Sequence, residues 1–298
     1  LPGPDTSAPA KGCGKIDILF VINDAGGLDW PNAADSYTDA LSIHSGTAAF
    51  IAAMQEEVAG YDLHVMAVKG DPKWRGTNGY SDCCGGNTEP CDQYGPFPCT
   101  LYPELVTTEC DSALGAGVRY PAGLMASNRD CELADDRRYI TAEQPDFAAA
   151  AECILNVGQT GGEQKYLSAM SQAIGPALNA PDSCNAGFLR PDAMLVVVIL
   201  ADEPDDASPG TPEGLAASLI AAKGGYTDGI VVVGILGSVQ STPPDANCYD
   251  GPEERTREFV EGFPNHVLGS FCAEYIGANL VAALDVIQAA CGEFVPPG

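Results

Sequence analysis

Residues 16–27, Ile16-Asp17-Ile18-Leu19-Phe20-Val21-Ile22-Asn23-Asp24-Ala25-Gly26-Gly27, and residues 193–206, AMLVVVILADEPDD, carry the reading of the fold. Each is a nearly unbroken apolar run rich in β-branched residues, as a strand buried on both faces requires. Each stops abruptly in a turn that carries carboxylates. Ligands in open α/β sheets bind beyond the carboxyl ends of parallel strands, so two such ends side by side would form one oxygen-rich pocket suited to a divalent cation. The first turn is thinly furnished for that purpose, because Asn23, Ala25 and Gly27 stand where a strong site wants carboxylate and hydroxyl oxygens.

Working outward, Leu41, Phe50, Ile51 and Met54 fall at near-helical spacing between Ser36 and Val58. Asp35 or Ser36 is placed to cap that helix and Gly60 to end it. Residues 61–68 (YDLHVMAV) then read as a second strand, and strand, helix and strand in succession are the signature of a parallel sheet. Further on, helices are expected over 147–155, 163–178, 212–223, 253–261 and 272–290, and buried strands over 193–201 and 229–236. The fold class is α/β, Rossmann-like, with a central mostly parallel sheet flanked by helices. No repeat of solenoid period is present.

Between residues 70 and 140 the pattern gives way to Gly, Pro, Asn and Cys, with Trp74, Tyr80, Tyr94 and Tyr102 among them. A structureless loop of that length is improbable inside a compact domain. The stretch is expected to be a disulfide-held insertion after the second strand, capping the carboxyl edge of the sheet. Its aromatic residues are candidate binding contacts, and the plainer alternative is a local mini-core. Residues 1–12 (LPGPDTSAPAKG) read as a tether, with a lipid anchor as one form of attachment, and 13–298 as one domain around the 70–140 insertion.

Lys and Arg number 14 against 41 Asp and Glu, a formal charge of −27. A surface of that sign repels phosphate backbones and anionic lipid headgroups, which argues against nucleic acid and membrane-surface partners. No apolar stretch reaches the roughly 18–20 residues of a membrane helix. Twelve cysteines without zinc-type CxxC spacing indicate disulfides and an oxidising, extracellular setting. Cys83, Cys84, Cys91, Cys99, Cys110 and Cys131 fall in the insertion, an even number that permits internal pairing. Outside it, Cys13 and Cys291 flank the domain and are expected to tie its ends, which is worth about 4–5 kcal/mol in the chain-entropy treatment. Cys248 with Cys272 and Cys153 with Cys184 are the other expected pairs.

Enzyme motifs are sparse. His44, His64 and His266 come with no GxSxG, HExxH or GxxxxGK, and Gly115-Ala116-Gly117 is too loose for a dinucleotide fingerprint. A metal-assisted hydrolase built on Asp202 and Asp205 is the residual catalytic reading.

Taken in order, KIDILFVINDAGGL, YDLHVMAVKGD, TGGEQKYLSAM, NAGFLRPDAMLVVVILADEPDDAS and VLGSFCAEYIGANLVAAL resemble the von Willebrand factor A domain, in the form found in secreted bacterial proteins and lipoproteins. The resemblance spans roughly residues 13–292 outside the insertion. It implies a non-catalytic adhesion or binding role toward a protein or surface polymer, with a metal-independent structural subunit as the alternative. It also implies a metal-ion-dependent adhesion site: DxSxS falls on Asn23, Ala25 and Gly27, the threonine loop near Thr160 with Glu163 as a further donor, and the later aspartate on Asp202. Asp24 and Asp205 complete the candidate donor set for a weak Ca²⁺ or Mg²⁺ site. The plainer alternative is an acidic solvent-facing loop.

Overall fold

The computed structural model describes residues 12–24, 50–54, 56, 60–72, 108–121, 126–127, 129–158, 164–237, 253–270 and 276–296. Among these, six strands form one sheet: β1 (Lys15–Ile22), β2 (Asp62–Lys69), β3 (Ile140–Thr141), β4 (Met194–Ala201), β5 (Ile230–Leu236) and β6 (His266–Ser270), in the order β3-β2-β1-β4-β5-β6. All pairings are parallel except the short edge strand β3, which runs antiparallel to β2. The described helices are α1 (Phe147–Leu155), α2 (Tyr166–Ala173), α3 (Pro176–Asn179), α4 (Pro212–Ala222), α5 (Glu254–Glu261) and α6 (Ile276–Glu293), and residues 50–54 are also helical.

The two-residue side-chain period of the strands sorts the core into two layers. Ile16, Ile18, Phe20 and Ile22 of β1 face one way, with Val196 and Val198 of β4, and meet Phe50, Met54, Ile154 of α1 and Leu284 of α6. Leu19 and Val21, with Val197 and Ile199, face the other way and meet Tyr166 and Met170 of α2, Leu219 of α4 and Phe259 of α5. All eight residues of β4 are buried, which is why that strand reads as an unbroken apolar run rather than an alternating one. Each such Val, Leu, Ile or Phe contributes about 1.5–3 kcal/mol on burial.

The expected 163–178 helix is cut in two. Pro176 disfavours helical geometry in the residue before it, and Gly175 accordingly takes φ −67°, ψ 153°. β6 was not expected from the sequence.

Three disulfides are described: Cys13–Cys291, Cys110–Cys184 and Cys131–Cys153. The expected Cys153–Cys184 pair is therefore corrected. Cys153 is buried with Cys131 in the first core layer, whereas Phe188, four residues beyond Cys184, packs in the second. The sheet lies between them. Cys110 and Cys131 accordingly bond out of the 70–140 segment rather than within it. Cys83, Cys84, Cys91, Cys99, Cys248 and Cys272 lie outside the described residues.

Residues 108–121, one described stretch of that segment, are clamped to the domain. Val118 N–H donates to Ala67 O of β2 at 2.8 Å. The Asn185 side chain accepts from Gly117 N–H at 2.9 Å and donates to Gly115 O at 2.8 Å. A Cβ on Gly117 would meet Arg138 O at 2.2 Å, and one on Gly115, already at φ +83°, would meet Ala169 O at 2.6 Å. The Gly-Ala-Gly run is thus a close backbone contact.

Candidate functional site

The register brings Ile22, Lys69, Leu200, Leu236 and Ser270 to one edge of the sheet, so the turns after five strands open on the same side. The hydrogen-bond ladder runs on past the strands: Asn23 N–H donates to Leu200 O, Gly70 N–H to Ile22 O and Gly237 N–H to Ala201 O. β1 and β4 are the adjacent central strands whose crossovers diverge, the point where an open α/β sheet forms its crevice.

Asn23 is buried at this point. Its Nδ2 reaches across to Asp202 Oδ1 at 3.3 Å and Glu203 O at 3.4 Å. The same Glu203 carbonyl accepts from the Tyr166 hydroxyl at 3.2 Å, which also pairs with Thr256 Oγ1 at 2.7 Å. Burial holds the Tyr166 phenol well above its ordinary range, so it acts as a fixed hydroxyl. Asp24, also buried, turns toward β2: its Oδ1 accepts from Asp71 N–H at 3.0 Å, and its Oδ2 lies 3.9 Å from Lys69 Nζ. Burial pushes the Lys69 ammonium down, while Asp24 and then Asp71 pull it back up. Space is tight at Gly70 between them: a Cβ there would lie 3.0 Å from Gln164 Oε1 and 3.2 Å from Asp24 Oδ1, so these side chains would have to give by a few tenths of an ångström.

Asp205, expected as a cation ligand, serves instead as a cap. Its Oδ2 accepts from Leu167 N–H at 2.6 Å and Ser208 Oγ at 2.8 Å, its Oδ1 accepts from Ser208 N–H at 2.9 Å, and Arg255 Nη1 lies 3.6 Å away. It satisfies an orphan N–H in the first turn of α2 from 38 residues downstream. Next along the edge, the buried Glu253 accepts from Gly237 N–H at 3.0 Å, and Ser270 Oγ donates to Gly237 O at 2.6 Å.

Thr160, Glu163, Trp74, Tyr80, Tyr94 and Tyr102 lie outside the described residues. Of the candidate donors, the structure brings together Asn23 and Asp202, directs Asp24 toward Lys69 and commits Asp205 to the α2 turn. Lys69, Asp71, Tyr166 and Glu253 were missed. Lys69-Gly70-Asp71 carried a signal, a charge flanking a turn at the end of a buried strand; Glu253 carried none.

A second polar network occupies the opposite edge. Asp17 is fully buried in β1, accepting from Arg190 N–H and Nε–H at 2.7 Å each, and burial pushes its carboxyl up to about 6 against the pull of Arg190. Lys223 Nζ donates to Arg190 O at 2.6 Å and Ala193 O at 2.7 Å. His64 Nδ1 lies 2.9 Å from Phe188 O, so it carries the hydrogen, and burial lowers the ring's pKa. His266 Nδ1 meets Phe263 O at 2.6 Å. Both described histidines are thus engaged with backbone carbonyls, in the amino-terminal halves of their strands.

A divalent hard cation takes six or more oxygens at about 2.0–2.6 Å. The described part of the donor set does not fit one: Asn23 presents its nitrogen to Asp202, Asp24 is shared with an ammonium, and Asp205 is filled by protein donors. Among the described residues no group of three or more His, Cys, Asp or Glu side chains is placed to hold a metal.

No protein-family model matches the chain, and no curated protein matches it in sequence. Among solved structures it is similar to proximal thread matrix protein 1 from the mussel byssus, at 11% identity and a TM-score of 0.42 over 94% of this chain and 50% of that one. A structure of the same mussel protein with a zinc-occupied MIDAS motif gives 13% identity and a TM-score of 0.39 over 94% and 46%. The pilus adhesin SpaC from Lactobacillus rhamnosus GG gives 11% identity and a TM-score of 0.42 over 93% and 30%. The chain spans half or less of the length of these proteins.

Proposed function

We propose that the chain is a non-catalytic, extracellular binding module of von Willebrand factor A type, which engages a protein or a surface polymer through the loops at the carboxyl edge of its sheet. One observation supports this reading above the others: buried polar groups along that edge, from Asn23 through Asp205 to Glu253, are engaged by fixed protein partners. These bonds tie the described part of that edge to the domain, and Glu203 and Asp206 are exposed on it. The described histidines lie in the other half of the sheet, so no imidazole from them reaches these carboxylates for general acid–base work. The three disulfides suit an oxidising exterior, and no helix among the described residues is long and apolar enough to cross a membrane.

The test is biolayer interferometry against immobilised matrix proteins and neutral and basic polysaccharides. Saturable retention is expected, weakened by Glu203→Lys with Asp206→Lys and untouched by Asp228→Lys at the opposite edge. Turnover of ester, phosphate or glycoside probes that Asp202→Ala abolishes in a folded protein would refute the non-catalytic reading.

A further inference from the structure

We propose that the carboxyl edge works without a metal ion, because the amide of Asn23 and the ammonium of Lys69 supply the cross-link and the positive charge that a divalent cation would bring to this position. The proposal deepens the reading above, since it concerns the same edge, and its test is independent of ligand binding.

A cation between the β1 turn and the β4 loop would do two things: join the two turns through shared oxygens and neutralise the carboxylates gathered there. The chain achieves both by itself. Asn23 Nδ2 joins the turns, donating to Asp202 Oδ1 at 3.3 Å and Glu203 O at 3.4 Å. A carboxylate at residue 23 would repel Asp202 and need a metal between them; an amide donor removes both the repulsion and the need. Neutralisation is divided between two side chains. Lys69 lies 3.9 Å from Asp24 Oδ2, and Arg255 lies 3.6 Å from Asp205 Oδ1. Placing two of only 14 basic residues against this edge, in a chain with 41 acidic ones, is a specific arrangement of charge. To admit a metal, Asn23 would have to turn its nitrogen away, giving up both bonds. The ion would also have to share Asp24 with an ammonium already beside it.

The experiment is calorimetric titration of the chelator-stripped protein with Ca²⁺, Mg²⁺ and Mn²⁺, with Asp202→Ala in parallel, up to about 10 mM, beyond the weakest extracellular calcium modules. The two proteins are expected to give superimposable curves that reflect the acidic surface alone. One equivalent of metal bound by the wild type and lost in Asp202→Ala overturns the proposal, and leaves the binding-module reading standing. Asn23→Asp should gain a single Ca²⁺ site at least about tenfold tighter than anything in the wild type. A folded Asn23→Asp protein that gains none refutes the role given to Asn23. Lys69→Met should melt well below the wild type in chelator, and an unchanged melting temperature refutes the role given to Lys69.

Discussion

Replacing Asp205 with alanine is expected to cost the fold far more than replacing Asp202, although the two acids sit three residues apart in the same loop. The Asp205 carboxylate accepts three hydrogen bonds at 2.6–2.9 Å from Leu167 and Ser208 and has Arg255 at 3.6 Å. Hydrogen bonds to a charged group are worth about 1.5–3 kcal/mol each, but neighbouring ones are not additive. Removing one partner of a buried, paired charge costs about 3–5 kcal/mol, which bounds the sum, so Asp205→Ala should lose roughly 4 kcal/mol. At about 2–4 °C per kcal/mol for a domain of this size or slightly smaller, its melting temperature should fall by some 8–16 °C. Asp202 is only partly buried and its bond from Asn23 is long at 3.3 Å, so solvent can replace what its carboxylate loses and Asp202→Ala should cost clearly less than Asp205→Ala. Urea unfolding followed by circular dichroism measures both, with an unchanged slope marking a change in stability alone. A loss below about 1 kcal/mol for Asp205→Ala, or equal losses for the two variants, would show that Asp205 does not anchor α2.

Other perturbations probe the opposite edge, the ends and the glycines. The folded chain keeps a proton on Asp17, up to about pH 6, that the unfolded chain gives up near 3.8. The stability this supplies is present below pH 3.8 and is lost as pH rises through 6. Wild type should therefore lose about 3 kcal/mol relative to Asp17→Asn between acid and neutral pH, read from paired urea titrations; a constant gap refutes the assignment. The double variant Cys13→Ser, Cys291→Ser opens a bond spanning 278 residues of sequence, and calorimetry should register a loss of up to about 5 kcal/mol in the chain-entropy treatment. Gly117→Ala forces a Cβ to within 2.2 Å of a backbone oxygen and should cost over about 2 kcal/mol. Gly210→Ala meets nothing within 4 Å, so its loss is limited to about 1–2 kcal/mol for the left-handed backbone at φ +92°. Equal melting temperatures for the two glycine variants would contradict the close contact at Gly117.

The central strands were legible because burial on both faces demands unbroken apolar runs, and β1, β4 and β5 supply them. β6 was not, because His266-Val267-Leu268-Gly269-Ser270 is short, lies at the sheet edge and is mostly half-buried, so it carries neither a continuous nor an alternating pattern. The turns at Asn23 and Asp202 were visible as strand ends. The role of Asp205 was not, since a carboxylate that caps a helix from a distant loop and one that binds a cation look the same until Leu167 N–H is located. Asp17 is a charge inside the apolar run of β1, but its partner lies 173 residues away and no local spacing points to it. Cys13 and Cys291 pair as expected, but the expected Cys153–Cys184 pair failed for a related reason: sequence order does not say which face of the sheet a cysteine occupies.

The bond between Cys13 and Cys291 has a mechanical consequence. Gly12 N–H donates to Phe294 O at 2.9 Å, so the chain enters β1 and leaves α6 at one spot, with the covalent link beside it. Tension applied across that entry and exit passes through sulfur and does not peel β1 from its neighbours. A load taken up at the carboxyl-edge loops instead runs along the strands toward that spot, in shear, against the parallel ladders on both sides of β1.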